Sequence, residues 1–128
     1  MNNETKYARR WLKKHAGKQV FWVEQGAGGT VGFPDALLAV DGRLVPIELK
    51  HGDVVDGWWK PKLRPSQIAV ARQMTGARIT GFVLVANEHG VWATQINIVL
   101  VCIAQDRHVA VREINSLSDL EQLIFEWS

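Results

Sequence analysis

The sequence predicts an α/β domain with a mixed central sheet and helices on its faces. Three observations carry that expectation. A helix-spaced apolar set opens the chain, a tight apolar hairpin follows, and a second helix leads into another apolar strand.

Over residues 3–15 and just beyond, the apolar positions are Tyr7, Ala8, Trp11, Leu12 and Ala16, spaced as on one helix face, with Gly17 as a stop. Val20-Phe21-Trp22-Val23 reads as a strand and Gln25-Gly26-Ala27-Gly28-Gly29-Thr30 as a loop. Asp35 opens Ala36-Leu37-Leu38-Ala39-Val40, and Asp41-Gly42 turns the chain back into residues 44–49, a hairpin. Residues 51–64 are polar, contain Gly52, Gly57 and Pro61, and read as a long loop. Pro65-Ser66-Gln67 opens a second helix with Ser66 as its cap, running to about Thr75 and stopped by Gly76. Residues 79–86 read as a strand, 87–90 as a turn, and 91–104 as largely strand. Asp106-Arg107 would turn into a strand at 109–114. Ser118-Asp119-Leu120-Glu121 is a capping box for a last helix ending near Trp127.

At 128 residues the chain is expected to be one domain with a substantial core. A net charge of +2 excludes a general basic coat, so any polyanion binding must come from local patches. The single Cys102 excludes a disulfide framework, and its apolar surroundings suggest a buried thiol in a reducing compartment. No signal peptide or membrane-spanning run is read, so a cytosolic location is expected, or wherever intracellular DNA is.

The chemistry concentrates in Gly32-Phe33-Pro34-Asp35 and Ile47-Glu48-Leu49-Lys50. Strand side chains alternate, so Glu48 and Lys50 share one face while Ile47 and Leu49 share the other. Across the hairpin, Asp35 can face Glu48 and Lys50. Two carboxylates and an amine on one sheet edge outline a metal-dependent phosphodiester-cleaving site; a surface ion-pair cluster is the plainer alternative. Such hydrolysis needs an activated water, neutralised phosphate oxygens and a stabilised leaving oxygen, tasks suited to a divalent cation held by oxygen ligands.

These motifs resemble the PD-(D/E)XK nucleases, and within them the VRR-NUC group, which includes small stand-alone forms, many of them viral. The resemblance covers about two-thirds of the chain, a core of about 4–86, leaving 91–128 as a C-terminal extension. It implies a restriction-endonuclease-like αβββαβ core. It also implies Asp35, Glu48 and the Leu49 carbonyl as metal ligands, Lys50 as catalytic lysine, Gln67 as a supporting catalytic-site residue, and Glu4 as a further ligand on the first helix. A first-turn acid that stabilises the helix dipole is the plainer reading of Glu4, and Glu24 is a rival for its role. The cofactor implied is Mg²⁺ or Mn²⁺. Ala8 stands where the group carries a glutamine. The segment between Lys50 and Gln67 is longer than the group's short link, suggesting a substrate-specific insertion at 51–64.

Trp58-Trp59-Lys60-Pro61-Lys62-Leu63-Arg64 interleaves aromatics with cations near this site. Aromatics can stack on unpaired bases and cations can contact phosphates; Trp58, Trp59, Lys60, Lys62 and Arg64 are therefore candidate DNA-binding residues. One tryptophan is expected to anchor the segment and the other to be exposed. Lys6, Arg9, Arg10, Lys13 and Lys14 form a second basic cluster, on the polar face of the first helix, where a DNA-backbone contact and an ordinary charged helix face are equally open readings. The glycines of residues 25–30 lack the Gly-Lys-Ser/Thr ending of a nucleotide-binding loop, so no nucleotide cofactor is expected. The four histidines have no zinc spacing, and His51 is expected to face away from Lys50.

The expectation is a Mg²⁺-dependent, structure-selective endodeoxyribonuclease. No separate sequence-reading domain is apparent, which favours branched DNA, as with Holliday-junction resolvases of the superfamily. Paired cuts would require a homodimer, with residues 96–104 and the terminal helix around Phe125 and Trp127 as candidate surfaces. A flap or RNA nuclease, or a non-catalytic DNA-binding protein on the same fold, stands as the alternative.

Overall fold

The computed structural model describes residues 5–24 and 31–127. Helix α1 (Lys6–Ala16) and a short 3-10 turn (Gly17–Gln19) lead into β1 (Val20–Trp22). Strands β2 (Ala36–Val40) and β3 (Arg43–His51) form the expected hairpin. Asp41 and Gly42 both have positive φ, 50° and 76°, as a two-residue turn of this hand requires. Next come β4 (Val54–Val55), β5 (Trp58–Trp59), α2 (Pro65–Gly76), β6 (Phe82–Asn87) and β7 (Gly90–Gln95). Helix α3 (Ile96–Ala104), β8 (Val109–Ala110), β9 (Arg112–Glu113) and α4 (Leu117–Glu126) complete the order.

The main sheet has the order β1-β2-β3-β6-β7-β9. Among the described strands only β3 and β6 run parallel, so the sheet is mixed. Parallel neighbours need a long crossover, and α2 lies within it. Alternation divides the core. Ile47 and Leu49 of β3 and Phe82, Leu84 and Ala86 of β6 pack under α1 and α4. Val83 and Val85 face the other way, against Leu63, Ala71 of α2 and Val99 of α3. β6 is buried on both faces, which explains its unbroken apolar run. Among the described residues, no helix is long and apolar enough to cross a membrane.

The segment 51–64 is not a plain loop. Val54 pairs with Trp59 and Val55 with Trp58, and β8 adds to β5 to make a second, three-stranded sheet. Asp56 and Gly57 repeat the positive-φ turn, at 51° and 81°. Asp-Gly between apolar pairs is a strong hairpin signal, outweighed in the sequence by the surrounding polar residues. Residues 91–104 divide differently from expectation. β7 ends at Gln95, opposite Phe82 where β6 begins. One last sheet bond follows, from the Ile96 N–H to the Gly81 carbonyl at 2.9 Å, and the backbone then satisfies itself as helix α3. Ile96, Val99, Leu100 and Ile103 carry a helical spacing that the all-apolar run conceals. Cys102 on this helix is half-buried rather than buried.

Residues 109–114 split at Val111. β8 joins the small sheet while β9 edges the main one. The strand expected from residue 79 begins at Phe82. Both expected caps also move. Helix α2 starts at Pro65 with Arg64, not Ser66, as its cap residue, consistent with proline's preference for the first helical position. In α4 the Ser116 hydroxyl, not that of Ser118, accepts from the Asp119 N–H at 3.1 Å. The Asp119 carboxylate accepts from the Asn115 N–H at 2.8 Å.

Candidate functional site

The hairpin register explains why Asp35 meets Glu48. Ala36 pairs with Ile47, so one further step brings Asp35 opposite Glu48. Beyond Ala36, β3 has lost its β2 partner, and the Asp35 carboxylate takes over by accepting from the Leu49 N–H at 2.9 Å. In an antiparallel pairing a residue's N–H and C=O address the same neighbour. The Leu49 carbonyl therefore projects to the edge that Asp35 occupies.

Gly32 fixes the approach of this turn. Its φ is +86°, and a Cβ there would lie 2.3 Å from the Ser66 carbonyl oxygen. Only glycine permits that conformation together with that contact. The turn bearing Asp35 is thereby seated on the first turn of α2, which carries Gln67.

Gln67 links the other side chains. Its Nε2 donates to Glu48 Oε1 at 2.8 Å. Its Oε1 accepts from Lys50 Nζ at 3.0 Å and from the Arg64 N–H at 2.9 Å. One amide thus caps α2, holds a carboxyl and orients an amine. The opposite amide orientation would set NH₂ against an ammonium and a backbone donor, so the network fixes it. Glu48 and Gln67 are 7% and 6% exposed, while Lys50 is half-buried.

Burial and the neighbouring Asp35 carboxyl push the Glu48 pKa up from 4.5 to about 8; Lys50 and Arg64 act in the opposite sense. A buried acid beside a second acid is held neutral unless positive charge reaches it. The oxygen-only donor set, Asp35, Glu48 and the Leu49 carbonyl, suits a hard divalent cation, whose charge would relieve this strain. Among the described residues, no group of three His, Cys, Asp or Glu side chains is placed to share a metal ion. Glu4 lies outside the described residues, as does the 25–30 glycine segment. Glu24 is exposed and does not line the site.

These groups form the floor of a cleft of about 1150 Å³, into which Lys62, Arg64, Trp59 and Lys60 also face. Trp59 is 4% exposed and anchors the small sheet, whereas Trp58 is 51% exposed. Trp58 does not line the cleft; it sits on the ribbon beside it. Lys60 is engaged elsewhere, donating to Asp106 at 2.6 Å and holding that carboxyl below its usual range. His51 points away from Lys50, its ring stacked 5.9 Å from that of Tyr7. Sequence reasoning missed Arg9, Phe33 and Asp53 as cleft residues. Among the α1 cations, which the sequence leaves open as backbone-contacting or as an ordinary charged face, Arg9 is the one that lines the cleft. Its position three residues before buried Leu12 was the available sign that it borders the inward face.

No family model matches the chain, nor does any curated protein or solved structure.

Proposed function

We propose that the protein is a metal-dependent endonuclease that hydrolyses phosphodiester bonds in branched DNA, on a restriction-endonuclease-like core. The observation that carries this reading is the Asp35, Glu48, Lys50 and Gln67 cluster, interlinked at the floor of an open cleft with cations on its walls. A surface ion-pair cluster would not bury Glu48 and Gln67 beneath a cleft. The order α1, β1, β2, β3, α2, β6 supports the proposed core, with the β4–β5 ribbon as an insertion between β3 and α2.

Asp35, Glu48 and the Leu49 carbonyl would hold Mg²⁺ or Mn²⁺, which supplies Lewis acidity toward the phosphate and the attacking water. The chain's own residues do the rest. The Leu49 N–H fixes the Asp35 carboxylate, and Gln67 fixes Glu48 and Lys50 relative to each other. Lys50 directs its ammonium at the attacking water or at charge developing on the phosphate. Lys62 and Arg64 neutralise neighbouring phosphates. Exposed Trp58 offers a stacking face to an unpaired base, a feature of branch points.

Paired incision of a branch calls for a two-fold dimer. The candidate dimer surfaces separate on inspection. Trp127 stacks on Phe82 at 6.0 Å, and Ile96 and Val99 are buried. What stays exposed is Ile98 and Val101 on α3 and Phe125 on α4, on opposite faces of the sheet.

The decisive experiment is cleavage of end-labelled four-way junction, flap, single-stranded and linear duplex DNA with Mg²⁺ or Mn²⁺, beside Lys50→Ala and Glu48→Ala. Paired symmetric nicks in the junction, lost in both variants, are expected. Cutting of another substrate would keep the nuclease and discard branch resolution. Junction binding without any cutting would instead identify a non-catalytic binder.

A further inference from the structure

Building on the nuclease reading, we propose that Arg9 is a phosphate-binding residue of the cleft, gripping the substrate strand at a phosphate beside the scissile one. Among the cations of α1, Lys6, Arg10, Lys13 and Lys14 are exposed, but Arg9 is half-buried and lines the cleft. Its guanidinium carbon lies 4.4 Å from the centroid of the Trp22 ring. Its Nε is shielded from solvent and has no hydrogen-bond partner among the described residues. No carboxylate forms an ion pair with it there either.

A shielded donor without a partner is costly, so the placement of Arg9 serves something other than the stability of the free protein. Stacking on Trp22 uses the face of the guanidinium, and with Nε shielded it leaves the two terminal NH₂ groups, which can fork onto a phosphate. Trp22 pairs with Ala36, the residue after Asp35, so the stack is built next to the acidic floor.

The placement also indicates the class of ligand. Helices α1 and α2 cover opposite faces of the sheet. Arg9 therefore stands on one wall of the cleft, and Lys62 and Arg64 stand on the other. Asp35 and Glu48 lie between them. A single small anion would be served by one wall. Cations on both walls with acids between them match successive phosphates of a strand crossing the sheet edge, its central phosphate above the acids.

The test measures binding of labelled single-stranded and four-way-junction DNA in EDTA across a salt titration, with wild type, Arg9→Gln, Arg9→Lys and Arg10→Gln. Arg9→Gln should weaken binding about tenfold and lower the slope of log affinity against log salt by about one. Arg10→Gln, an equal charge change outside the cleft, should leave the affinity within about twofold. Arg9→Lys should keep the slope yet weaken binding several-fold, because lysine lacks the planar fork. Equal effects of Arg9→Gln and Arg10→Gln, or an unchanged slope in Arg9→Gln, would overturn the proposal. If Arg9→Gln does not fold, wild-type affinity in Arg9→Lys overturns it.

Cleavage by wild type with Mg²⁺ and Mn²⁺ is run in parallel. Cutting, with binding indifferent to Arg9, removes this residue's role and keeps the nuclease. Binding that depends on Arg9, without cutting of any substrate, keeps the role and removes the hydrolysis. A wild type that neither binds nor cuts removes both.

Discussion

At the residue scale, Glu48 sets the acid–base behaviour of the cleft. In metal-free protein the folded state holds this proton to about pH 8, whereas an unfolded glutamate loses it near its ordinary value. Between those limits the native state binds more protons, so stability falls as pH rises. The contribution is fully present below about pH 4.5, is lost through about pH 8, and is on the order of 5 kcal/mol. Glu48→Gln cannot ionise and should flatten this slope; urea unfolding in EDTA at several pH values across that range checks it. On the proposed function, Mg²⁺ needs the ionised carboxylate, so its binding should strengthen with pH and release a proton. Calorimetry in buffers of different ionisation enthalpy would count that proton.

Gln67 is the second residue-scale test. Gln67→Ala removes the amide that joins Glu48, Lys50 and the cap of α2. It should destabilise the fold by roughly 1–3 kcal/mol and cut turnover far more than that loss implies at temperatures where the variant stays folded. Turnover that falls only in proportion to the folded fraction would make Gln67 a structural residue alone.

At the scale of elements, the turn before β2 and the start of α2 behave as one unit because of Gly32. Gly32→Ala meets both a positive φ and the Ser66 carbonyl. It should cost on the order of 2 kcal/mol and move Asp35 off the Leu49 N–H. Gly42→Ala is the matched control: it shares the positive φ but meets nothing within 4 Å, so it should cost only about 1 kcal/mol. Thermal unfolding separates the two, and equal losses would mean that the close approach to Ser66 does not matter.

Short-range signals succeed at one turn of this chain and fail at other elements. Asp41-Gly42 announced a hairpin and made one. Asp56-Gly57 made the same turn without being read, because the polar segment around it resembled a loop. In the α3 segment the failure ran the other way. Apolar and β-branched residues argued for strand, but beyond Phe82 the sheet offers a single bond, from the Ile96 N–H to the Gly81 carbonyl, and no further ladder pair, and tertiary context overrode propensity.

At the scale of the whole molecule, the sheet brings together groups from four segments and two faces. The end of β3 carries Glu48 and Lys50, the turn into β2 carries Asp35, and the first turn of α2 carries Gln67. α1 supplies Arg9 from the opposite face. A strand crossing this edge would meet acids at the centre and cations at both sides. Binding should therefore be strongly salt-dependent despite a net charge of only +2. A log–log slope near zero for the wild type would contradict that arrangement.

The sequence by itself determined the hairpin, the meeting of Asp35 with Glu48 and Lys50, and the anchoring of one tryptophan beside an exposed one. The first two follow from alternation and a tight turn and the third from adjacent residues of an extended segment facing opposite sides, all local rules. The bridging by Gln67, the seating of Gly32 on Ser66, the second sheet and the inward turn of Arg9 were decided only by tertiary structure. They depend on which distant segments share an edge or a face, and no spacing along a single chain encodes that.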